Sequence, residues 1–188
     1  MSNTKINLIY PGSFDPFHRG HADIIRRLHE HFDEPINLIV LLQPNRFKKS
    51  SMFDMDFKFK FLEDYIKYIF SGWNNISVKR TEEKSFSTYW HVTNLCEQEY
   101  MLVVGDDTLN TIHIWDDFDL MVAHGLQIIV IQRNLSYKEI SNFKGALPIH
   151  SIISHDRESI EQSYNMSSTL VREQILEIIK QNMYKRIP

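Results

Sequence analysis

The sequence has little cysteine, no long apolar run and no excess of positive charge. A single cysteine, Cys96, excludes an internal disulfide, and its apolar neighbours indicate a buried residue rather than a nucleophile. Because no stretch of 18 apolar residues and no signal peptide are present, we expect a soluble cytoplasmic protein that does not contact the membrane. A net charge of −3 argues against nucleic acid as a partner. Any anion binding must therefore be local.

Repeats, low-complexity tracts and linkers are also absent. The 188 residues, 43% of them hydrophobic, predict one domain spanning residues 1–188. Six strand-like runs alternate with helical stretches: Ile6–Tyr10, Ile36–Leu42, Ile76–Val78, Met101–Val104, Leu126–Ile131 and Leu147–Ile153. The clearest helical stretches are Gly20–Phe32, Met55–Phe70 and Thr88–Cys96. This alternation predicts an α/β fold, a single Rossmann-like doubly wound domain with a mostly parallel sheet of five or six strands flanked by helices. The sequence leaves the oligomeric state open, homo-oligomers included.

Two histidines lie where the first strand crosses into the first helix. Asp15 followed by Pro16 resembles a helix N-cap with proline in the first turn. His18 and His21 would then lie close to the unpaired N–H groups of the helix start, which favour a bound anion. Gly12, without a side chain, would allow that anion to approach closely. The pattern therefore predicts a phosphate site at this turn.

Three interpretations of the histidine pair stay open from local chemistry. Imidazole N–H groups can donate to negative charge that develops around a phosphorus atom. The same residues are also compatible with an ordinary surface loop. A zinc site is the third interpretation, but Asp15 and Asp23 are the only nearby carboxylates and no cysteine is close. We expect no metal ion held by protein ligands.

A second cluster of polar residues opens a helical apolar stripe near the C-terminus. Ser167, Ser168 and Thr169 precede the stripe as caps, and Arg172 follows in its first turn. An arginine there opposes the helix dipole unless an anion is also bound. Glu173 supplies some negative charge itself, so an ordinary capped helix is the alternative.

The two segments together resemble a known group of nucleotidyltransferases. Residues 12–21 are similar to the signature G-[ST]-F-D-P-x-[HT]-x-G-H, and residues 165–172 resemble the second signature, I-S-S-T-x-[IV]-R. Members of this group join a small phosphate ester to the AMP half of ATP. The resemblance implies ATP as a substrate, Mg²⁺ bound through its phosphates, and catalytic roles for His18, His21 and Arg172. The implied ATP-binding residues are Gly12, Ser13, Phe14, His21, Gly105, Asp107, Ser167, Ser168, Thr169 and Arg172.

The middle of the chain resembles the nicotinate or nicotinamide mononucleotide adenylyltransferases. Their G-x-D-x-L…W segment is matched from Gly105 to Trp115. The resemblance implies that Gly105 and Asp107 lie against the ATP ribose and that Trp115 stacks on the pyridine ring of the mononucleotide. Trp115 as a core anchor is the alternative. The implied mononucleotide-binding residues are Ser13, Phe14, Lys48, Ser85 and Trp115.

Phosphopantetheine adenylyltransferases are the rival family, because residues 10–16 and 21–25 resemble their opening more closely. That family has threonine where His18 stands, serine where Thr169 stands, and an Arg-Gly-x-Arg segment where this chain has residues 104–107. We therefore predict adenylyl transfer to a pyridine mononucleotide in NAD biosynthesis. A non-catalytic nucleotide-sensing domain is the second alternative.

Several features of the chain depart from the family or carry no motif. Pro44–Lys49 replaces a Pro-Pro-His-Lys stretch, so Lys48 belongs either to a phosphate clamp or to a solvated loop. Ser85–Ser87 matches the Ser-Tyr-Thr substrate loop only loosely, which leaves open whether nicotinate or nicotinamide mononucleotide is preferred.

The aromatic residues Phe53, Phe57 and Phe61 recur every four residues, and Tyr65, Ile66 and Ile69 extend the same face, which predicts a core-facing helix. Trp73 and Trp90 are expected to be packing residues.

Overall fold

The computed structural model describes residues 5–44, 51, 53–81, 87–95, 99–133, 135–143, 145–154 and 173. Its strands are β1 (Ile6–Gly12), β2 (Ile36–Leu42), β3 (Ile76–Arg80), β4 (Met101–Gly105), β5 (Gln127–Gln132) and β6 (Ile149–Ser154). Its α-helices are α1 (Arg19–His31), α2 (Met55–Ile69), α3 (Thr88–Leu95), α4 (Phe118–Ala123) and α5 (Tyr137–Ser141). Two 3₁₀ turns, Asp106–Thr108 and Ile112–Ile114, connect β4 to α4.

The six strands form one parallel sheet in the order β3-β2-β1-β4-β5-β6. β1 pairs with β2 along its whole length and with β4 at Leu8↔Met101 and Ile9↔Leu102. The chain thus runs outward from β1 to β3 and then crosses back to β4, so the strand order reverses between β1 and β4. In open α/β sheets this switch point is where ligands bind, at the carboxyl ends of the strands. The predicted fold class is confirmed.

Alternating side chains along the strands fill two separate cores. Leu8, Leu38 and Val103 point to the face covered by α1 and α2, together with the buried Ile24 and Leu28 of α1. A second core on the opposite face is built by alternate residues of the same strands and by buried residues of α4 and α5: Ile9, Leu41, Leu102, Val104, Ile128, Met121 and Ile140. Because both faces are covered, the strands read as nearly continuous apolar runs.

Most element boundaries agree with the sequence predictions, and β2 matches at both ends. The short helices α4 and α5 were not predicted, because five or six residues give too little of the helical period to detect. β6 begins at Ile149, two residues later than expected. Within the described ranges, no helix is long and apolar enough to cross a membrane.

The orientation predicted for α2 is wrong in the first half of the helix, whereas Tyr65, Ile66 and Ile69 pack against the core as predicted. Phe57 is 51% exposed and Phe61 38% exposed, whereas Lys58, Leu62 and Ile66 face the core. The phenylalanines instead stack along the outside of the helix, with Phe53 to Phe57 at 4.7 Å between ring centroids and Phe57 to Phe61 at 6.3 Å. The buried stripe escaped detection because its first member is a lysine.

The two unassigned tryptophans differ in their packing. Trp73 is 38% exposed, and its ring contacts His29 and Phe70 at centroid distances of 4.2 and 4.9 Å. Trp90 is 53% exposed. Trp73 is therefore a packing residue, as expected. Trp90 lies largely at the surface of α3.

Candidate functional site

His18 and His21 close the start of α1 by capping it reciprocally. The Nδ1 atom of His18 accepts the backbone N–H of Gly20 at 3.1 Å, and Nδ1 of His21 accepts the backbone N–H of His18 at 3.2 Å. The N-cap predicted at Asp15 is therefore wrong, because imidazole nitrogens take the acceptor roles that Ser or Thr and Glu or Gln usually fill. The cap lies three residues farther along the chain, and the histidines form it.

This arrangement sets the protonation of both rings. In a neutral imidazole one nitrogen accepts and the other carries the proton, so acceptance at Nδ1 places the proton on Nε2. Burial, reinforced by the Arg133 guanidinium, lowers the pKa of His18 to about 4. Burial lowers the pKa of His21 well below its usual value, and His18 and Arg133 lower it further. At neutral pH the pair therefore offers two Nε2–H donors without positive charge.

Aromatic rings hold the histidines in place. The His18 and His21 rings stack at 3.8 Å between centroids, and the Phe17 ring also stacks on His21, at 5.2 Å. Phe14, buried and with a φ of 38°, meets the His21 ring edge-on at 5.1 Å. A methyl group added to Gly12 would come within 2.8 Å of the Phe14 ring. The glycine therefore makes room for Phe14, and the close approach of an anion at Gly12 stays a prediction.

Two aspartates with different roles follow the carboxyl end of β4. Asp106 is fully buried, and its Oδ2 atom accepts the backbone N–H groups of Arg133 at 2.8 Å and Leu135 at 2.7 Å. Asp107 is exposed, and its carboxylate folds over Gly105 so closely that a methyl group there would overlap it. Asp106 thus shapes the loop after β5, and Asp107 presents charge to solvent at the switch point.

Arg133 connects the end of β5 with Tyr10 of β1 and with the two histidines. It follows β5 directly and forms a side-chain hydrogen bond with Tyr10 of β1, so it reaches across the end of β4. Burial raises the pKa of Tyr10 to about 12, and the Arg133 charge opposes that shift. The phenol therefore stays protonated. Because the Arg133 charge also acts on both histidines, the guanidinium is the cation that the described part of the site provides.

The sequence did not identify Tyr10, Asp106 or Arg133 as site residues. Arg133 stands just after the strand-like run Leu126–Ile131. The signal that could have found it is its position, the first residue after a buried strand near the switch point, where polar side chains meet ligands.

Trp115 lies at the end of the second 3₁₀ turn and packs, half-buried, against the core on the α4 side of the sheet. Two residues later Asp117 adopts a φ of 61° and accepts a hydrogen bond from the Ser87 hydroxyl.

Of the predicted site residues, the structure brings residues 12–21, Gly105 and Asp107 to the carboxyl edge of the sheet. Six predicted site residues lie outside the described residues: Lys48, Ser85, Ser167, Ser168, Thr169 and Arg172.

Comparison with known proteins agrees with this geometry. A family model described as cytidylyltransferase-like matches residues 9–174. The probable nicotinate-nucleotide adenylyltransferase of Nitratiruptor sp. is 27% identical over 89% of this chain and 95% of its own length. The enzyme of that name from Helicobacter pylori strain HPAG1 is 31% identical over 73% of this chain and 79% of its own. A phosphopantetheine adenylyltransferase of Leptospira biflexa is 40% identical, but over only 39% of this chain and 41% of its own.

Solved structures support the same fold. The Plasmodium falciparum nicotinic acid mononucleotide adenylyltransferase complexed with APC superposes with a TM-score of 0.67 at 19% identity, covering 90% of this chain and 83% of the other. The same enzyme complexed with NaAD gives a TM-score of 0.64 at 20% identity. These likenesses support the α/β fold described above.

Proposed function

We propose that this chain, which belongs to the cytidylyltransferase-like family, transfers the adenylyl group of ATP to nicotinate mononucleotide or its amide. It is a nucleotidyltransferase by family. The observation that carries the proposal is the pair of Nε2–H donors on His18 and His21, fixed beside Arg133 at the switch point of the sheet. The curated relatives that match most of the chain point to the pyridine mononucleotide as acceptor.

The site is suited to a polyphosphate for electrostatic reasons. Arg133 supplies a permanent positive charge, and the start of α1 adds the positive end of a helix dipole. The two imidazoles add hydrogen-bond donors whose directions are already set by the cap. Donors that are oriented before the substrate arrives need no reorganisation during the reaction, which is where most electrostatic catalysis originates.

The reaction that fits is a direct in-line transfer. An oxygen of the mononucleotide phosphate attacks the α-phosphorus of ATP, a new P–O bond forms, and the bond from the α-phosphorus to the bridging oxygen breaks. The electron pair leaves with pyrophosphate. His18 and His21 donate to the α- and β-phosphate oxygens as negative charge moves onto the leaving group. No protein nucleophile is required.

The remaining contacts follow from the positions of the other residues. Asp107, exposed beside Gly105, can accept a hydrogen bond from a ribose hydroxyl of ATP. Trp115 offers an indole face for the electron-poor pyridine ring. We propose that the β- and γ-phosphates of ATP are bound by Arg172, Ser167, Ser168 and Thr169. We propose that the mononucleotide is bound by Ser13, Phe14, Lys48 and Ser85.

Mg²⁺ fits this site as an ion carried by ATP. Among the described residues no group of three histidine, cysteine or carboxylate side chains lies close enough to hold a metal. Mg²⁺ usually binds through phosphate oxygens and water with few protein ligands, so the residues present suit a phosphate-bound ion. When bound, it neutralises phosphate charge.

Phosphopantetheine is the second candidate acceptor, favoured by the local identity of the Leptospira biflexa relative. The end of β4 argues against it. Where that family carries Arg-Gly-x-Arg this chain has residues 104–107, so Val104 and Asp107 stand at the two arginine positions. A pair of phosphate-binding arginines is hard to replace by a valine and a carboxylate.

The test is pyrophosphate release from ATP with nicotinate mononucleotide, nicotinamide mononucleotide and phosphopantetheine as separate acceptors. We expect release with a pyridine mononucleotide and little with phosphopantetheine. Release with phosphopantetheine alone would reassign the acceptor. ATP binding without release in all three assays would favour a nucleotide sensor.

A further inference from the structure

Three buried polar residues lie close together at the carboxyl ends of β2 and β3. Gln43 follows β2, Thr81 follows β3, and Thr88 is the first residue of α3; they are 9%, 3% and 3% exposed. The Thr88 hydroxyl donates to Oε1 of Gln43 at 3.1 Å. The backbone N–H of Thr81 donates to the carbonyl of Leu42 at 3.0 Å, so Thr81 lies beside Gln43 at the sheet edge. We call these three residues the polar recess.

Two side-chain atoms of the polar recess have no hydrogen-bond partner. They are Nε2 of Gln43 and Oγ1 of Thr81, and both are fully covered. Because Oε1 of Gln43 already accepts from Thr88, the free end of this amide is the one that donates. Buried donors without an acceptor are unfavourable and uncommon in folded proteins. The recess therefore has unused capacity for a carbonyl or carboxylate oxygen.

Hydrogen bonds connect the polar recess to both parts of the proposed site. On one side the backbone N–H of Gln43 donates to the carbonyl of Gly12 at 2.9 Å, where the phosphate-binding turn begins. On the other side Ser87, which directly precedes Thr88, donates to the Asp117 carboxylate, two residues after Trp115. The recess is thus connected by hydrogen bonds to the turn that would hold the acceptor's phosphate and, through Ser87, to the segment that follows Trp115.

We propose that the polar recess receives the carbonyl oxygen of the ring substituent of the acceptor, with Gln43 as a specificity-determining residue. The inference rests on the proposed function, because a pyridine mononucleotide has a phosphate at one end and a carboxylate or carboxamide on the ring. Nε2 of Gln43 donates to that oxygen, and the Thr81 hydroxyl completes the contact. Because both atoms are covered, this contact requires a local rearrangement when the ring binds.

Such a recess discriminates strongly between acceptors. A site that presents buried donors rejects a ligand without a matching acceptor, because the donors then stay unpaired. Both nicotinate and nicotinamide mononucleotide carry the required oxygen. They differ in the second atom of the substituent, which is a carboxylate oxygen in one and an amide N–H₂ in the other.

Steady-state kinetics with the two mononucleotides tests the proposal. Gln43→Leu should raise the KM for the acceptor about tenfold while the KM for ATP stays unchanged. Gln43→Glu should shift the ratio of kcat/KM values toward nicotinamide mononucleotide by tenfold or more. The new carboxylate repels nicotinate but accepts a hydrogen bond from the carboxamide. A residue with only a structural role would not change this ratio.

Two further variants control the experiment. Thr81→Val should raise the acceptor KM severalfold, and it serves if Gln43→Leu does not fold. Ser151→Ala removes another buried hydroxyl without a partner, in β6, and should leave both KM values unchanged. Equal changes in the KM values for ATP and for the acceptor, or an unchanged ratio of kcat/KM values in Gln43→Glu, would overturn this inference and leave the proposed function intact. A wild-type protein that uses neither mononucleotide would overturn the proposed function and this inference with it.

Discussion

The ring of His21 accepts the backbone N–H of His18, and the ring of His18 in turn accepts the N–H of Gly20. Each histidine therefore uses one nitrogen to begin a helix and keeps the other for a ligand. The structural and the chemical role rest on different atoms of the same ring. Substitutions can therefore separate them.

His18→Asn tests this separation. Asparagine is a good N-cap residue but lacks the Nε2–H donor, so we expect thermal stability close to wild type and a kcat lower by on the order of 10²-fold. His18→Ala should lose activity to a similar degree and also about 1 kcal/mol of stability. Calorimetry and turnover on the two variants provide the comparison. An active His18→Asn enzyme would remove His18 from the reaction.

Arg133 should matter for its charge and for its planar shape. Arg133→Met removes the cation next to the phosphates, and we expect kcat/KM for ATP to fall on the order of 10²-fold. Arg133→Lys keeps the charge but loses the guanidinium geometry, so an intermediate loss of about tenfold is expected. Initial-rate measurements at varied ATP give both values. Equal activity of all three proteins would show that the site lies elsewhere.

The two aspartates after β4 should behave in opposite ways. Asp106→Ala leaves the N–H groups of Arg133 and Leu135, which are partly buried, without their acceptor, and we expect a loss of about 2–5 kcal/mol in the free energy of unfolding. Asp107→Ala, at an exposed position, should change stability by less than about 0.5 kcal/mol but raise the KM for ATP. Urea titrations followed by kinetics separate the two effects. A destabilised Asp107→Ala with a normal Asp106→Ala would contradict this assignment.

Acid should destabilise the protein partly through His18. Its pKa is about 4 in the folded protein and about 6.5 in the unfolded chain, so between these values the unfolded chain binds more protons. Stability therefore rises with pH across this window and falls as the pH drops from 6.5 toward 4. In His18→Asn the slope of the unfolding free energy against pH should be smaller. The exposed His113→Gln serves as control, and an unchanged slope in His18→Asn would contradict the shifted pKa.

The buried face of α2 can be checked by two substitutions on the same helix. Leu62→Ala empties a fully buried site and should cost about 2–5 kcal/mol. Phe57→Ser changes a residue that is 51% exposed, and we expect it to cost much less, within about 1 kcal/mol. Chemical denaturation measures both. A larger loss for Phe57→Ser would restore the orientation that the aromatic spacing predicts.

The strands could be predicted because their residues are buried on both faces. β2, Ile36–Leu42, is continuous and apolar, and its neighbours Pro35 and Gln43 mark its ends. Apolar spacing alone could not predict the orientation of α2. One face of the helix carries exposed aromatic residues, and the buried face includes the charged residue Lys58, so the exposed face is the more apolar of the two at the start of the helix. The choice between those faces depends on which one meets the sheet.

The site could be predicted where its residues belong to a sequence motif, and it was missed where single residues outside the motifs meet through the fold. His18 and His21 share one motif, and the structure confirms that they lie together at the start of α1. Tyr10 and Arg133 are 123 positions apart and meet because β4 alone separates their strands. Capping by imidazole was missed because the usual cap residues, Asp15 among them, gave a competing signal.

The pairing of β1 with β4 also bears on how the chain reaches its folded state. Its register pairs, Leu8↔Met101 and Ile9↔Leu102, join residues 93 positions apart, whereas the capped helix α1 forms from local contacts. Closing so long a loop is entropically costly, and sheets made of distant strands assemble slowly. A refolding chain should thus regain helical circular dichroism before it regains affinity for nucleotide, which makes ligand binding a reporter of the last assembly step.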